Sequence, residues 1–554
     1  FGADFGTTSF SILNFKINGY VGNFTSLREA KNLDDKREMF LSGENRFFVS
    51  EDDFNRIPGS PIAYWVSDKI RQIFNKSFIL KKIGDTRQGC ATSDNNRFLR
   101  FWHEVNFSRI GLECATREEA LKAKRRWFPY NKGGDFRRWY GNQEFVVDWE
   151  NDGARLLGYA SELYGSATRT IKSISEYFKP SISWSKVTVS DVALRYYPKG
   201  FIFDVAGCSI FLKDEEALNY CLGFLNSHVA KAILKIISPT LNYEAGHMAV
   251  MPILNQWKKI KSIPSDDLVD ISRADWDSRE TSWSFSVQPI LSSENKAHSM
   301  VESFERYQRH CYQITEKMKQ LEQRNNSLFI EAYELKDELS PDVPIDDITL
   351  FANPKYRYKG ALTDNQIKER FKADAIKEFI SYSAGCMTGR YSLDVPGIIY
   401  ANAENRGFDP KKYKTFPADE DGIIPITEHE WFDDDAASRL FRFVEVAWDK
   451  KGLDENLDFI AEAIGRKSGE PSREVLRRYF VNDFFKDHCQ MYKNRPIYWL
   501  FSSGKERAFQ ALVYLHRYNE GTLARMRTEY VLPLQTKIAR HIEHLVKDKD
   551  AASG

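Results

Sequence analysis

"MVESFERYQRHCYQITEKMKQLEQRNNSL", residues 300 to 328, sets the architecture of this 554-residue chain. Met300, Tyr307, Ile314, Leu321 and Leu328 recur every seven residues, with Phe304, Cys311 and Met318 interleaved. This a/d seam predicts one helix over 296–330, a coiled-coil or bundle spacer about 50 Å long at 1.5 Å per residue. "KDELSPDVPIDD" (336–347) ends it and reads as a linker. The chain is too long for one core and predicts three or four domains or subdomains.

Upstream of that helix the texture is mixed. "TSFSILNFKI" (8–17) alternates apolar and polar residues, and "GYVGNFTSL" (19–27) follows a Gly turn, so both read as strands. "PGSPIAYWVSDKIRQIF" (58–74) begins with Pro turns and becomes an amphipathic helix. Residues 78–255 hold short aromatic strands, Gly turns and one helix, "DEEALNYCLGFLNSHVAKAILKII" (214–237). Downstream, "NQIKERFKADAIKEFISYSAGCM", "AASRLFRFVEVAWDK", "SREVLRRYFVNDFFKDHCQMY" and "GKERAFQALVYLHRY" read as helices, and "WFDDDAAS" (431–438) as a helix cap rather than a metal site. The expected fold class is therefore mixed α/β, multidomain.

Composition narrows the function. With 79 basic and 78 acidic residues the net charge is +1, so any polyanion partner must be held by local clustering. Seven scattered Cys without a CxxC, beside ten scattered His, exclude zinc-ligand spacing and fit reduced thiols in the cytoplasm. No apolar run reaches membrane-span length, and no signal segment opens the chain.

Asp4-Phe5-Gly6-Thr7-Thr8-Ser9 looks like the phosphate turn of actin-type ATPases. No second such turn, adenosine Gly-Gly motif, Walker A loop or helix-opening GxGxxG accompanies it, so a Gly-assisted strand entry is the better reading. GxSxG, HExxH and Asn-Pro-Pro-Tyr are also absent, and no catalytic or metal residues are assigned.

The densest chemistry lies in "KAKRRWFPYNKGGDFRRWYGN" (122–142). Lys122 to Arg138 carry seven basic residues and one acid, interleaved with aromatics around Gly133-Gly134. Cations meeting phosphates, a backbone permitting close approach and rings that buttress suit a nucleic-acid groove better than plain solvation. A second cluster, "DTRQGCATSDNNRFLRFWHE" (85–104), adds Arg87, Asn95, Asn96 and Arg97. A third, in 182–211, offers Trp184, Lys186 and Arg195. "KNRPIYWLFSSGK" (493–505) ends in a turn expected to open a helix, where a phosphate or a plain cap would suit equally.

In order along nearly the whole chain, "FGADFGTTSF", "GSPIAYWVS", "RQGCATSDNNRFLRFWHEV", "KRRWFPYNKGGDFRRWYGN", "VVDWENDG", "YPKGFIFDVAGCSIF", "LGFLNSHVA", "SPTLNYEAGHMAVMPI" and "RPIYWLFSSGK" resemble the C-terminal half of the PglX (BrxX) family. These are the adenine-specific DNA methyltransferases of BREX bacteriophage-defence systems, related to type IIG restriction-modification enzymes.

The resemblance implies an S-adenosylmethionine site and catalytic loop in a missing N-terminal methyltransferase half, with no cofactor bound by this chain and no methyl transfer by it alone. It divides the chain into the edge of the methyltransferase sheet (1–60), a linker helix (61–77), a DNA target-recognition domain (78–256), a helical spacer (257–345) and a helical C-terminal domain (346–554). Double-stranded DNA is the implied partner, with adenine flipped during modification. Lys124, Arg125, Arg126, Lys132, Arg137 and Arg138, with the Gly133-Gly134 backbone, would position phosphates. Asn95, Asn96 and Arg97 would touch backbone or groove, and Arg87, Trp184, Lys186 and Arg195 would read bases. Asn242 and Tyr243 read as a structural turn. Further implied partners are other BREX proteins and phage proteins that imitate DNA charge. The alternative is a scaffold docking other defence subunits, with DNA contact incidental.

Overall fold

The computed structural model describes residues 8–12, 14–15, 17–188 and 191–552. Asp4 to Thr7 of the opening motif lie outside them. The architecture is mixed α/β, with several small sheets among many helices.

Two four-stranded sheets form the middle of the upstream half. In the first, Trp127–Asn131 is buried at every position because it is flanked on both sides. Ile202–Phe203 pairs with it in parallel and Phe145–Asp148 antiparallel, with Leu99–Phe101 beyond. The second sheet is antiparallel throughout, in the order Gly84–Arg87, Gly207–Leu212, Ser181–Ser185, Leu194–Tyr197. Asn131 joins the two: its Nδ2 donates to Ser183 Oγ at 2.6 Å and to the Gly207 carbonyl at 3.3 Å. The approach needs glycine at 207, where a Cβ would lie 2.6 Å from the Asn131 carbonyl oxygen.

The helix expected over 214–237 is two helices, Glu215–Leu225 and His228–Ile237. Ser227 breaks it by accepting the Ala230 N–H as an N-cap. The heptad segment forms one helix, Met300–Ala332, and its seam is the core of a bundle: it packs against Glu215–Leu225, His228–Ile237, Ser265–Asp277 and Leu453–Ala463. Polar groups pin both of its ends. Near the start, Met300 N–H bonds Asn456, and Ser303 accepts from Trp448. Near the end, Glu322 accepts from Trp139, Asn325 donates to the Gly223 carbonyl, and Asn326 accepts from the His228 N–H.

Within the segment read as a linker only Val343 is buried and most other positions are exposed; the chain rejoins the core just after it, at Ile348 and Leu350. The largest apolar core gathers residues from Ile57 to Tyr514, and three smaller ones accompany it among the described residues.

Three other expectations change. Residues 8–12 form no strand, whereas Val21–Thr25 does, paired with Arg46–Ser50. The amphipathic helix begins only at Asp68, capped by Ser67, and ends at Lys76. "GKERAFQALVYLHRY" is not a helix: Tyr498–Ser502, Gln510–Tyr514 and Ile423–Ile426 form an antiparallel sheet, so the Ser-Ser-Gly-Lys turn joins two strands and opens no helix. Its β-branched and aromatic run, Val513-Tyr514 beside Phe509, favours the pleated surface. Asp435 does cap the helix Ala436–Trp448, accepting the Ser438 N–H at 2.9 Å.

Candidate nucleic-acid interface

Strand Trp127–Asn131 puts the basic residues around it at two ends. Lys124, Arg125 and Arg126 precede it, and Lys132 and the Gly turn follow. At about 3.3 Å per residue, Arg126 and Lys132 stand about 20 Å apart. The cations therefore form two groups, not one continuous wall.

The first group gathers at the end where Trp127 enters the sheet. Register places Leu99 opposite Val147 and Phe128 opposite the same residue, so Asn95, Asn96 and Arg97 approach from the same end as Lys124–Arg126. The one-turn helix Asn95–Phe98 is capped by Asp94, and the exposed Arg97 lies over the Tyr159 ring at 4.7 Å. Asn95 accepts from Thr92, and the Asn96 carbonyl from Arg100. Lys124 is exposed in a left-handed conformation (φ 50°). Arg125, also exposed, donates to the Ser108 carbonyl. Arg126 is half-buried: its Nε and Nη2 reach Asp148 at 3.1 and 3.0 Å, and it lies over Trp127.

The second group sits where the two sheets meet. Lys132 is half-buried, 3.8 Å from Asp204. Gly133 and Gly134 take positive φ (80° and 132°), and Ser185 Oγ donates to the Gly134 carbonyl at 2.8 Å. A Cβ on Gly133 would lie 3.1 Å from the Ala206 carbonyl and 3.2 Å from Ser185, so this turn is closed by its own chain and offers no cradle for a nucleotide cofactor. Lys186 meets Glu244 at 2.9 Å. Glu244 also accepts from Gln88 at 2.7 Å and Asn242 at 3.1 Å, and the Lys186 hydrogen bond is the chief pull holding its carboxyl below the usual range. Sequence reading passed over Glu244 as the shared partner of Lys186 and Gln88. Only chain crossing from 88 to 244 brings them together, although Asn242 does serve the structural turn expected of it. Arg87 is exposed beside Asp85, 3.6 Å away.

Four of the expected contact residues are interior, which corrects the reading of them. Arg137 is 3% exposed, donates to Asp275 at 2.6 Å and lies over the adjoining Trp276 and Phe351 rings. Arg138, 9% exposed, meets Glu322 at 2.8 Å and the Asp347 carbonyl at 2.5 Å. Arg195, 1% exposed, donates to the Arg137 carbonyl at 3.0 Å and to Ser185. Trp184 is fully buried, its indole N–H on the Tyr243 carbonyl. None of the four can meet a phosphate or base edge in this conformation. At 137 and 138 the buried carboxylates of Asp275 and Glu322 would be left without a cation by any neutral residue, which accounts for the arginines there.

Among the described residues no group of three or more His, Cys, Asp or Glu side chains could hold a metal ion, and no helix is long and apolar enough to cross a membrane. All seven cysteines are free thiols.

No family model matches the chain. The adenine-specific methyltransferase BrxX of Escherichia coli O9:H4 (strain HS) is 39% identical over 568 residues, covering 99% of this chain. The adenine-specific methyltransferase PglX of Lacticaseibacillus casei (strain Zhang) is 35% identical over 554 residues, covering 98% of it. The chain spans 44% of the length of each. Over that span, it belongs to the PglX/BrxX family of adenine-specific methyltransferases.

Proposed function

We propose that this chain is the DNA target-recognition and duplex-clamping part of a site-specific adenine-N6 methyltransferase acting in BREX phage defence, in the cytoplasm. The observation that carries the proposal is similarity over nearly all of this chain to two adenine-specific methyltransferases, together with the exposed Arg97, Lys124 and Arg125 at one end of a small sheet and the half-buried Lys132 at the other. The methyl donor, S-adenosylmethionine, would be held by the rest of the protein: the Gly133-Gly134 turn is closed against Ala206 and Ser185 and does not fit it. Alone, the chain transfers no methyl group.

Lys124, Arg125, Arg97 and Lys132 supply the phosphate contacts, with Asn95, Asn96 and the Gly134 backbone beside them. Their span of about 20 Å equals about six phosphate steps of 3.4 Å along a strand. Arg126 holds Asp148 and contributes field rather than a direct contact. Arg87, on the second sheet's edge strand, Gln88 after it and Lys186, just past an inner strand, would offer groove reading by bidentate side chains.

Fluorescence anisotropy of a labelled duplex against salt tests this. Four neutralised phosphates give a slope of log K against log salt of about −4. A slope near zero removes the assignment.

A scaffold role has one observation of its own. On the C-terminal helix Leu532–Ala552, Ile542, Leu545 and Val546 are exposed together, a face suited to another subunit of the defence system. Binding of such a subunit, unaffected by charge reversal at Lys124 and Arg125, would favour it.

A further inference from the structure

Between the recognition sheets and the helical region lies a cavity of about 240 Å³ that nothing above uses. Its walls include Trp276, Phe285, Phe351 and Tyr356. Three cations line it, and each is already matched: Arg137 by Asp275 at 2.6 Å, Arg279 by Glu378, and Lys493 by Glu144 at 2.6 Å. Two acids in the lining have no cation within 4.0 Å among the described residues, Asp135 at the exposed Gly turn and Glu280 in depth.

Glu280 is the decisive group. It is 6% exposed. One carboxylate oxygen accepts from Tyr492 Oη at 3.2 Å and Ser381 Oγ at 3.3 Å, while the other, Oε1, is buried and makes no hydrogen bond. Burial pushes its pKa up to about 7, against the pull of the more distant Arg390. A buried acceptor left empty costs free energy unless a donor arrives, and a carboxylate so poorly compensated favours one that is positively charged. The aromatic walls suit the methylene portion of such a ligand and attract its charge.

We infer that this cavity binds a short aliphatic diammonium or polyammonium, one ammonium paired with the Glu280 carboxylate, which turns to meet it, and another with Asp135. The inference stands apart from the DNA reading.

Calorimetric titration of the 554-residue chain with putrescine and spermidine tests it, with butane-1,4-diol as the neutral isostere. One saturable site for the amines and none for the diol is expected. Glu280→Gln should weaken binding by at least about tenfold, as loss of a hydrogen bond to a charged group does. Asp135→Asn, at an exposed position that tolerates the change, should weaken spermidine binding while leaving the fold intact by circular dichroism. No saturable binding, equal binding of the diol, or unchanged affinity in Asp135→Asn and in folded Glu280→Gln would overturn it.

Discussion

Arg137 and Asp275 meet at 2.6 Å with both side chains almost wholly buried, and the two Asp275 oxygens also accept the backbone N–H groups of Phe351 and Ala352. A residue that would be assigned to DNA from its neighbours in sequence instead fastens the two four-stranded sheets to the segment after the long helix.

Arg137→Ala should therefore act on stability. Leaving Asp275 buried without its cation costs about 3–5 kcal/mol. Urea unfolding of Arg137→Ala, Asp275→Ala and the double variant should show strong non-additivity. Additive losses would mean the pair is not coupled.

Lys124→Glu and Arg125→Glu should do the reverse. Both side chains are exposed, so unfolding midpoints should stay within about 0.5 kcal/mol of the parent. Duplex affinity should fall equally for all sequences, and each change should flatten the salt slope by about 1. Sequence-dependent loss would point to base reading at these positions.

His488 gives a pH signature. Its Nε2 accepts N–H groups from Ile497 and Tyr498, both at 3.1 Å, so the ring must be neutral there. Burial, then the nearby positive charge of Arg390, lowers its pKa from 6.5 to about 3. The unfolded chain therefore binds the proton first: the contribution is whole above pH 6.5 and is lost as pH falls toward 3. His488→Gln keeps an acceptor but cannot titrate. The stability of the parent relative to this variant should drop by about 2 kcal/mol between pH 7 and pH 5. A pH-independent difference in denaturant unfolding would refute it.

Gly89→Ala should prevent stable folding of the sheet pair. A Cβ at 89 would lie 1.9 Å from the Phe203 carbonyl oxygen, which is backbone and cannot swing aside. The expected loss is about 3 kcal/mol or more, the upper end of overpacking. Gly158→Ala, where nothing lies within 4 Å, is the control and should be neutral or better in thermal denaturation.

What was readable from the chain follows from the range of each interaction. The Met300–Ala332 helix shows in its seven-residue recurrence because the pattern is local, and the Gly133-Gly134 turn shows because its positive φ needs glycine. Ser227 was harder to read: one hydroxyl ends a helix inside an otherwise unbroken apolar stripe. Gln510–Tyr514 was misread because its four apolar residues, Ala511 to Tyr514, fit either period until Tyr498–Ser502 and Ile423–Ile426 lie on both sides. Arg137 and Arg138 were misassigned because Asp275 and Glu322 are more than a hundred residues away. Lys124 and Arg125, by contrast, remain at the surface where their density suggested.

The rod from Met300 to Ala332 is gripped by Asn456 and Trp448 near one end and holds Arg138 and Trp139 through Glu322 near the other. Those two residues come only four and five positions after the Gly133-Gly134 turn. A load applied to the helical region is thus delivered, through about 33 Å of stiff helix, to the turn that carries the second cationic group. The same beam returns any strain imposed on that turn to the far side of the molecule.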